Sequence, residues 1–298
     1  MSIRVDPNIA PDLLSALNLD QQQQNTALEQ LSTGQAVNQL SDNPAAAADV
    51  VFTHIESSQD DQYLQNISDL TSQLQTADST LSSVTTAVNQ AISLGVEGAN
   101  GNLTASDQQA IASQVTGVLN QVLSLANQTY NGVYLFAGTN STTQPFVLDS
   151  TQPDGVLYNG NDAVNSIDIS NGNSIAINVP GSQLFTNPSG DLIGSLNALV
   201  TALQTNGDVG TAVTNLQTAF SEFSTQRVFY SNALQQLSST QTFLNSDKTQ
   251  AASQENALIG ADMAAAATNL SQSTTAVNAL LSATNQILST LNLLDYLR

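Results

Sequence analysis

His54 is the only histidine in the chain, the residue type most used in acid–base catalysis and metal ligation. Catalysis or metal binding would need partners. The nearest carboxylates in sequence, Glu56, Asp60 and Asp61, follow no recognised ligand spacing, so His54 reads as a helix-surface residue. Asp60 and Asp61 are the right types for an acid–base pair, but adjacent residues on a helix point to different faces, and a solvated face is the reading. The acidic stretch from Asp154 to Asp162 resembles a calcium loop only loosely. It lacks the EF-hand spacing and the closing Glu, and it reads as a hairpin turn. Cysteine is absent, which excludes thiolate zinc sites, disulfides and thiol chemistry. Gly138 stands in no phosphate-loop context, since no G-x-x-x-x-G-K follows a strand. No nucleophile, base and orienting group come together. The sequence therefore predicts no catalytic residue, no cofactor and no metal site, and the chain is read as not an enzyme.

Charge narrows the classes further. The 298 residues hold 24 Asp and Glu against 4 Lys and Arg, a net charge of −20. Nucleic-acid binding draws its affinity from basic residues on phosphates, and Arg4, Arg227, Lys248 and Arg298 are too scattered to form such a patch. Attraction to anionic membranes is disfavoured for the same reason. No apolar run approaches the ~20 residues that span a bilayer, so neither nucleic acid nor membrane insertion is expected. The segment Met1-Ser2-Ile3-Arg4-Val5-Asp6-Pro7 has no apolar core of the kind a cleaved secretory signal carries. Charged residues are only 9% of the chain, so Ser, Thr, Asn and Gln must build the polar surface. Such a surface suits packing against copies of itself.

The elements that would position these residues are long helices. Apolar residues between Ile67 and Ala91 alternate four and three apart, as Ile67, Leu74, Leu81, Val88 and as Leu70, Ala77, Val84, Ala91. That spacing is a coiled-coil seam. Ile111, Val115, Val118, Val122 and Leu125 form a second run, with Ser106 and Gln109 at capping-box spacing before it, and Gly95 to Thr104 reads as the turn between the two. Val213, Leu216, Phe220, Phe223, Tyr230, Leu234, Leu237 and Leu244 repeat the alternation, interrupted by Arg227 and Gln241. Lys248 and Glu255 occupy seam positions, and a phase shift falls near Met263. Residues 139–190 differ: Gly, Pro, Asn and Asp punctuate short runs such as Val156–Tyr158, Ile167–Ile169 and Ile175–Val179, read as strands. The fold class is therefore mainly α: a long antiparallel coiled-coil rod formed by both chain ends, with a small inserted β-rich domain. The expected divisions are an N-terminal assembly helix (1–43), two halves of a helical rod (44–138 and 195–254), the β-rich domain (139–194) and a C-terminal assembly helix (255–298).

Both ends are amphipathic but poor in charge pairs, and each would be marginal without a partner helix. The residues expected to carry assembly are Leu13, Leu17, Leu28 and Leu31 at one end and Leu280, Ile287, Leu291 and Leu294 at the other.

Several motifs carry a resemblance. Leu31-Ser32-Thr33-Gly34-Gln35-Ala36-Val37-Asn38, followed by Ser41-Asp42-Asn43-Pro44-Ala45, is similar to the N-terminal signature of the flagellin superfamily. Gly34 would end one helix, and Asn43-Pro44 would start the next as N-cap and first helical residue. The family often has a basic residue near Gln35 or Ala36; here there is none. Leu258-Ile259-Gly260-Ala261-Asp262-Met263-Ala264 resembles the C-terminal region shared by that superfamily. Within it, Asn131-Gly132-Val133-Tyr134-Leu135-Phe136-Ala137-Gly138-Thr139 and the ending Asn292-Leu293-Leu294-Asp295-Tyr296-Leu297 look like the hook-associated proteins of the hook–filament junction. The resemblance implies a structural subunit of the bacterial flagellum. Its expected partners are other copies of itself, a neighbouring hook-associated protein and flagellin, and a cytoplasmic export chaperone at the C-terminal helix. It also implies an extracellular place in the flagellum, reached by the flagellum's own type III export route without a cleaved signal. Filament flagellin is the near alternative, and a secreted coiled-coil adhesin or effector is the alternative from a different class.

Overall fold

The computed structural model describes residues 9–296 apart from Leu40 and Pro153, with side chains described for the remainder of 11–286. Seven helices and eight short strands follow in order among the described residues: α1 (Ile9–Thr33), α2 (Pro44–Gly98), α3 (Ala105–Ala126), β1 (Thr129–Tyr130), β2 (Val133–Tyr134), β3 (Phe146–Leu148), β4 (Val156–Tyr158), β5 (Ser166–Ser170), β6 (Asn173–Ala176), α4 (Gly181–Phe185), β7 (Thr186–Asn187), β8 (Gly190–Asp191), α5 (Leu192–Thr205), α6 (Val209–Ile259) and α7 (Met263–Tyr296). The mainly helical class with a small β-rich region is borne out. Two compact units divide the chain: a central one, Gln59–Ser246, and a terminal one made from the described parts of 1–58 and 247–298. Helices α2 and α6 each contribute a segment to both units.

The central unit is built around the seam read from the sequence. Ile67, Leu70, Leu74, Ala77, Leu81, Val84, Val88 and Ala91 are all buried on α2. Ile111, Val115, Val118 and Val122 of α3, Leu192, Leu196, Leu199 and Leu203 of α5, and Val213, Leu216, Phe223, Tyr230, Leu237 and Leu244 of α6 join them in one apolar cluster. Close approach depends on Gly98, where an added Cβ would lie 2.4 Å from Leu203 Cδ2. The interruption at Arg227 has a physical reason. Its guanidinium reaches back across the helix pair to Asp78, Nε to Oδ1 at 3.0 Å, and Nη1 donates to Thr85 Oγ1 at 3.5 Å, with both partners of the ion pair half-buried.

Four details differ from the sequence reading. The capping box of α3 is Thr104 with Asp107, not Ser106 with Gln109. Thr104 is extended and accepts from the Asp107 amide, while Asp107 Oδ2 accepts from the Thr104 N–H at 3.1 Å and its hydroxyl at 2.7 Å. A short carboxylate reaches that amide directly, so the helix starts two residues earlier. The C-terminal helical half is broken: Asn206, left-handed at φ 53, ends α5, and Asp208 accepts from Thr211 N at 3.0 Å to start α6. The acidic stretch is only partly turn. It closes the β3–β4 hairpin through Asp154 and Gly155, supplies strand β4, and continues as a connection towards β5. Strand β6 stops at Ala176, before Val179.

All four strand pairs are two-stranded and antiparallel. The β1–β2 pair turns on Asn131 (φ 49) and Gly132 (φ 81), the double positive-φ geometry that Asn-Gly favours in tight hairpins. The β-rich stretch packs on the helices and is not a unit of its own. Phe136, Phe146, Phe185 and Phe223 make ring contacts at 5.4–5.9 Å between centroids, which ties the hairpins and α4 to α6. Asn127 at the end of α3 clips β3 by both amide atoms, each 2.9 Å from the Phe146 backbone.

Candidate assembly surface

The terminal unit packs α1 against α7. On α1, Leu13, Leu17, Asp20, Gln24, Ala27 and Leu31 follow one four–three spacing and are all buried or half-buried. On α7 the same holds for Ala266, Leu270, Ser273, Val277 and Leu280. The helices run antiparallel, and at mid-seam Gln24 Nε2 donates to Thr274 Oγ1 at 3.1 Å. A polar centre of this kind fixes register and weakens the seam.

At one end a clip joins the two helix connections. Gly34 (φ +73) ends α1, its N–H donating to Gln30 O at 2.9 Å. The turn then pairs with the α6–α7 turn: Ala36 N donates to Ile259 O at 2.6 Å and Ala261 N to Gly34 O at 2.9 Å. Asn43 caps α2, with Oδ1 accepting from Ala46 N at 3.2 Å, and Pro44 is its first residue. Asp262 caps α7 by accepting from the Ala264 and Ala265 amides at 2.9 and 3.0 Å. The phase shift near Met263 is this break between two helices. The N-terminal and C-terminal motifs thus lie together and hold one another through main-chain bonds.

His54 is exposed on α2 and pairs with Glu255 of α6, Nε2 to Oε1 at 2.9 Å. The two are 201 residues apart, so no local spacing points to the pair. Among the described residues no group of three or more His, Asp or Glu side chains is placed to hold a metal ion. No helix among them is long and apolar enough to cross a membrane.

What distinguishes the described part of this unit is how little apolar surface it buries. Among the described residues its buried apolar side chains are Ala27, Ala46, Ile259 and Ala266, three of them alanines. Leu14, Leu19, Leu28, Val51, Phe52 and Ile55 stand exposed instead, Phe52 by 66%. Of the residues expected to carry assembly, Leu13, Leu17, Leu31 and Leu280 are half-buried on the α1–α7 seam. Leu28 is off it and 49% exposed. Ile287, Leu291 and Leu294 fall within α7, but their side chains lie outside the described residues. A groove of about 690 Å³ runs between α1 and α7, lined by Leu19, Gln23, Thr26, Gln30, Asn269 and Gln272 among others.

Carboxylates elsewhere are tuned by hydroxyls and by burial. Hydrogen bonds from Thr104, Thr151 and Thr211 hold Asp107, Asp149 and Asp208 below the usual carboxylate range. Burial pushes Asp191 up, against the Gly194 amide that stabilises its charged form, and Asp154 nearby adds to the rise. Asp191 caps α5 by accepting from Gly194 N at 2.8 Å.

Comparison with known proteins agrees with this architecture. Residues 8–141 match the family model of the bacterial flagellin N-terminal helical region. Flagellar hook-associated protein 3 of Salmonella typhimurium is 33% identical over 158 residues, 53% of this chain and 48% of that protein. Its Escherichia coli namesake is 39% identical over 119 residues, 40% of this chain and 38% of that one. The chain thus spans about half the length, or less, of these curated relatives. The crystal structure of the flagellar junction protein from Legionella pneumophila superposes with a TM-score of 0.62 at 13% identity, over 71% of this chain and 100% of that one. The N-terminal helical region is thus similar to that of bacterial flagellins, and the fold is that of the Legionella pneumophila junction protein.

Proposed function

We propose that this protein is a structural subunit of the bacterial flagellum, without enzymatic activity, acting as an adaptor at the hook–filament junction. Its terminal helices join it to other copies of itself, and it sits between a neighbouring hook-associated protein and flagellin, outside the cell. One observation carries the reading: among the described residues the terminal unit buries three alanines and one isoleucine while leaving leucines, a phenylalanine and an isoleucine exposed. Packing that gives up so little apolar surface leaves helix order dependent on neighbours. Helix ends held this loosely also suit passage through the flagellum's own type III export route and capture of the C-terminal helix by a cytoplasmic chaperone. The similarity to hook-associated protein 3 supports the junction over the filament.

Filament flagellin is the second reading, favoured by the match of residues 8–141 to a flagellin region. Immunogold labelling of intact flagella separates the two. A single band of label next to the hook is expected; label along the whole filament makes the chain a flagellin. Motility unchanged by deletion of the gene contradicts both and turns attention to a secreted adhesin.

A further inference from the structure

On the terminal unit, Asp12 and Glu29 of α1, Asp42 in the turn, and Asp49 and Glu56 of α2 are all exposed. Asp247 and Asp262 add two more. The cationic groups on its described part are Lys248 of α6 and His54, which faces Glu255. From Met263 to Gln286, α7 carries no charged residue at all. Over the two segments of this unit the sequence holds 11 Asp and Glu against Arg4, Lys248 and Arg298, so a second copy docking on it sets an excess of carboxylates against carboxylates. The whole chain shares the imbalance, at −20. Like-signed net charge of this size keeps proteins apart.

Acid removes that charge without supplying the opposite one. With every carboxylate protonated, the side chains carry at most +5, from 4 Lys and Arg plus 1 His. A chain of this length with ordinary composition would carry roughly 35 cationic groups, and their mutual repulsion is a main cause of acid unfolding. No carboxylate is fully buried among the described residues, so acid leaves no interior Asp or Glu to neutralise. The buried polar side chains among the described residues are Thr80, Asn178 and Ser273, none of them ionisable. Exposed apolar groups beside the carboxylates, Leu14, Leu28, Phe52 and Ile55, then have nothing electrostatic holding them apart.

We propose that acidity drives self-association of this chain: protonation of surface carboxylates on the terminal unit lifts the repulsion that keeps subunits apart at neutral pH, and the folded central unit survives the change. The proposal rests on the reading of the chain as a self-assembling subunit. At neutral pH the subunits stay separate; at acid pH they join.

Sedimentation velocity on the full chain in low salt, at pH 7.5 and near its isoelectric point of about 4.1, tests this, with far-UV circular dichroism to follow the helices. Expected are monomer at pH 7.5, association at least about tenfold tighter near pH 4, retained helix, and partial recovery of association at pH 7.5 when salt screens the charges. The combined variant Asp12→Asn, Glu29→Gln, Asp49→Asn, Glu56→Gln should associate at a higher pH than the natural chain. Leu14→Ser with Phe52→Ser should lose acid-driven association while keeping its helix content. Equal association at both pH values overturns the acid gate and leaves the self-assembling reading standing. Monomer under every condition contradicts that reading itself. Acid aggregates that form equally in the Leu14→Ser, Phe52→Ser variant are isoelectric precipitation and overturn the proposal.

Discussion

Helices α2 and α6 pass through both units with similar composition, yet the two units use them differently. In the central unit every seam position of α2 from Ile67 to Ala91 is buried, and α3, α5, α6 and the hairpins complete the core. In the terminal unit Val51, Phe52 and Ile55 of α2 face outward, and the buried positions among the described residues are mostly alanine. Burial of a Leu or Phe side chain contributes about 1.5–3 kcal/mol; burial of an alanine methyl contributes far less. The central unit therefore holds its own folding energy. The terminal unit keeps its apolar surface for neighbours, and main-chain clips and caps hold its geometry in the meantime.

The comparison breaks most visibly at Phe185, which is fully buried and touches Phe136, Phe146 and Phe223. Phe185→Ala should cost about 3–5 kcal/mol, read as a lower urea midpoint with an unchanged slope. Gly138→Ala comes next. Gly138 has φ +69, and an added Cβ would meet the Asn161 carbonyl oxygen at 2.1 Å; backbone strain of about 1–3 kcal/mol is expected, seen as a lower thermal midpoint. Both variants should leave the exchange of terminal-unit amides as it was. Asn43→Ala tests the other side. Loss of this cap should cost about 1 kcal/mol, faster amide exchange should appear in the first turns of α2, and the urea midpoint of the central unit should not move.

The smallest effect is expected at Asp191. Its folded-state carboxyl is raised by burial, so its contribution is fully present below the unfolded carboxylate value and is lost as pH rises through the folded one. Asp191→Asn keeps an N-cap acceptor and removes the buried charge. The variant should melt higher than the natural chain at pH 7, with the difference vanishing near pH 3. Asp107, Asp149 and Asp208 run the opposite way. Their hydroxyl bonds add stability above the unfolded carboxylate value, and it fades as pH falls through their lowered values.

Much of this was legible in the residues. A four–three apolar spacing has one helical solution, so the seams of α2, α3 and α6 and the half-buried positions Leu13, Leu17, Leu31 and Leu280 could be read directly. Gly34 and Asn43-Pro44 announced the α1–α2 turn because their backbone preferences are strong. Asn131-Gly132, inside the motif that ends at Thr139, carries an equally strong hairpin signal. Thr104 and Ser106 both fit a capping pattern, and only the chain's path selects between them. Local spacing could not show the His54–Glu255 pair, the clip between Gly34 and Ala261, or the polar centre at Gln24 and Thr274, because each joins residues more than 200 apart.

Amide hydrogen exchange on the monomeric full chain at neutral pH tests the difference between the units most directly. The account predicts strong, cooperative protection from Ile67 to Leu244 and weak protection in α1, in α7 and in the adjoining ends of α2 and α6. Protection of α1 and α7 equal to that of the central core, in the absence of any partner, would contradict it.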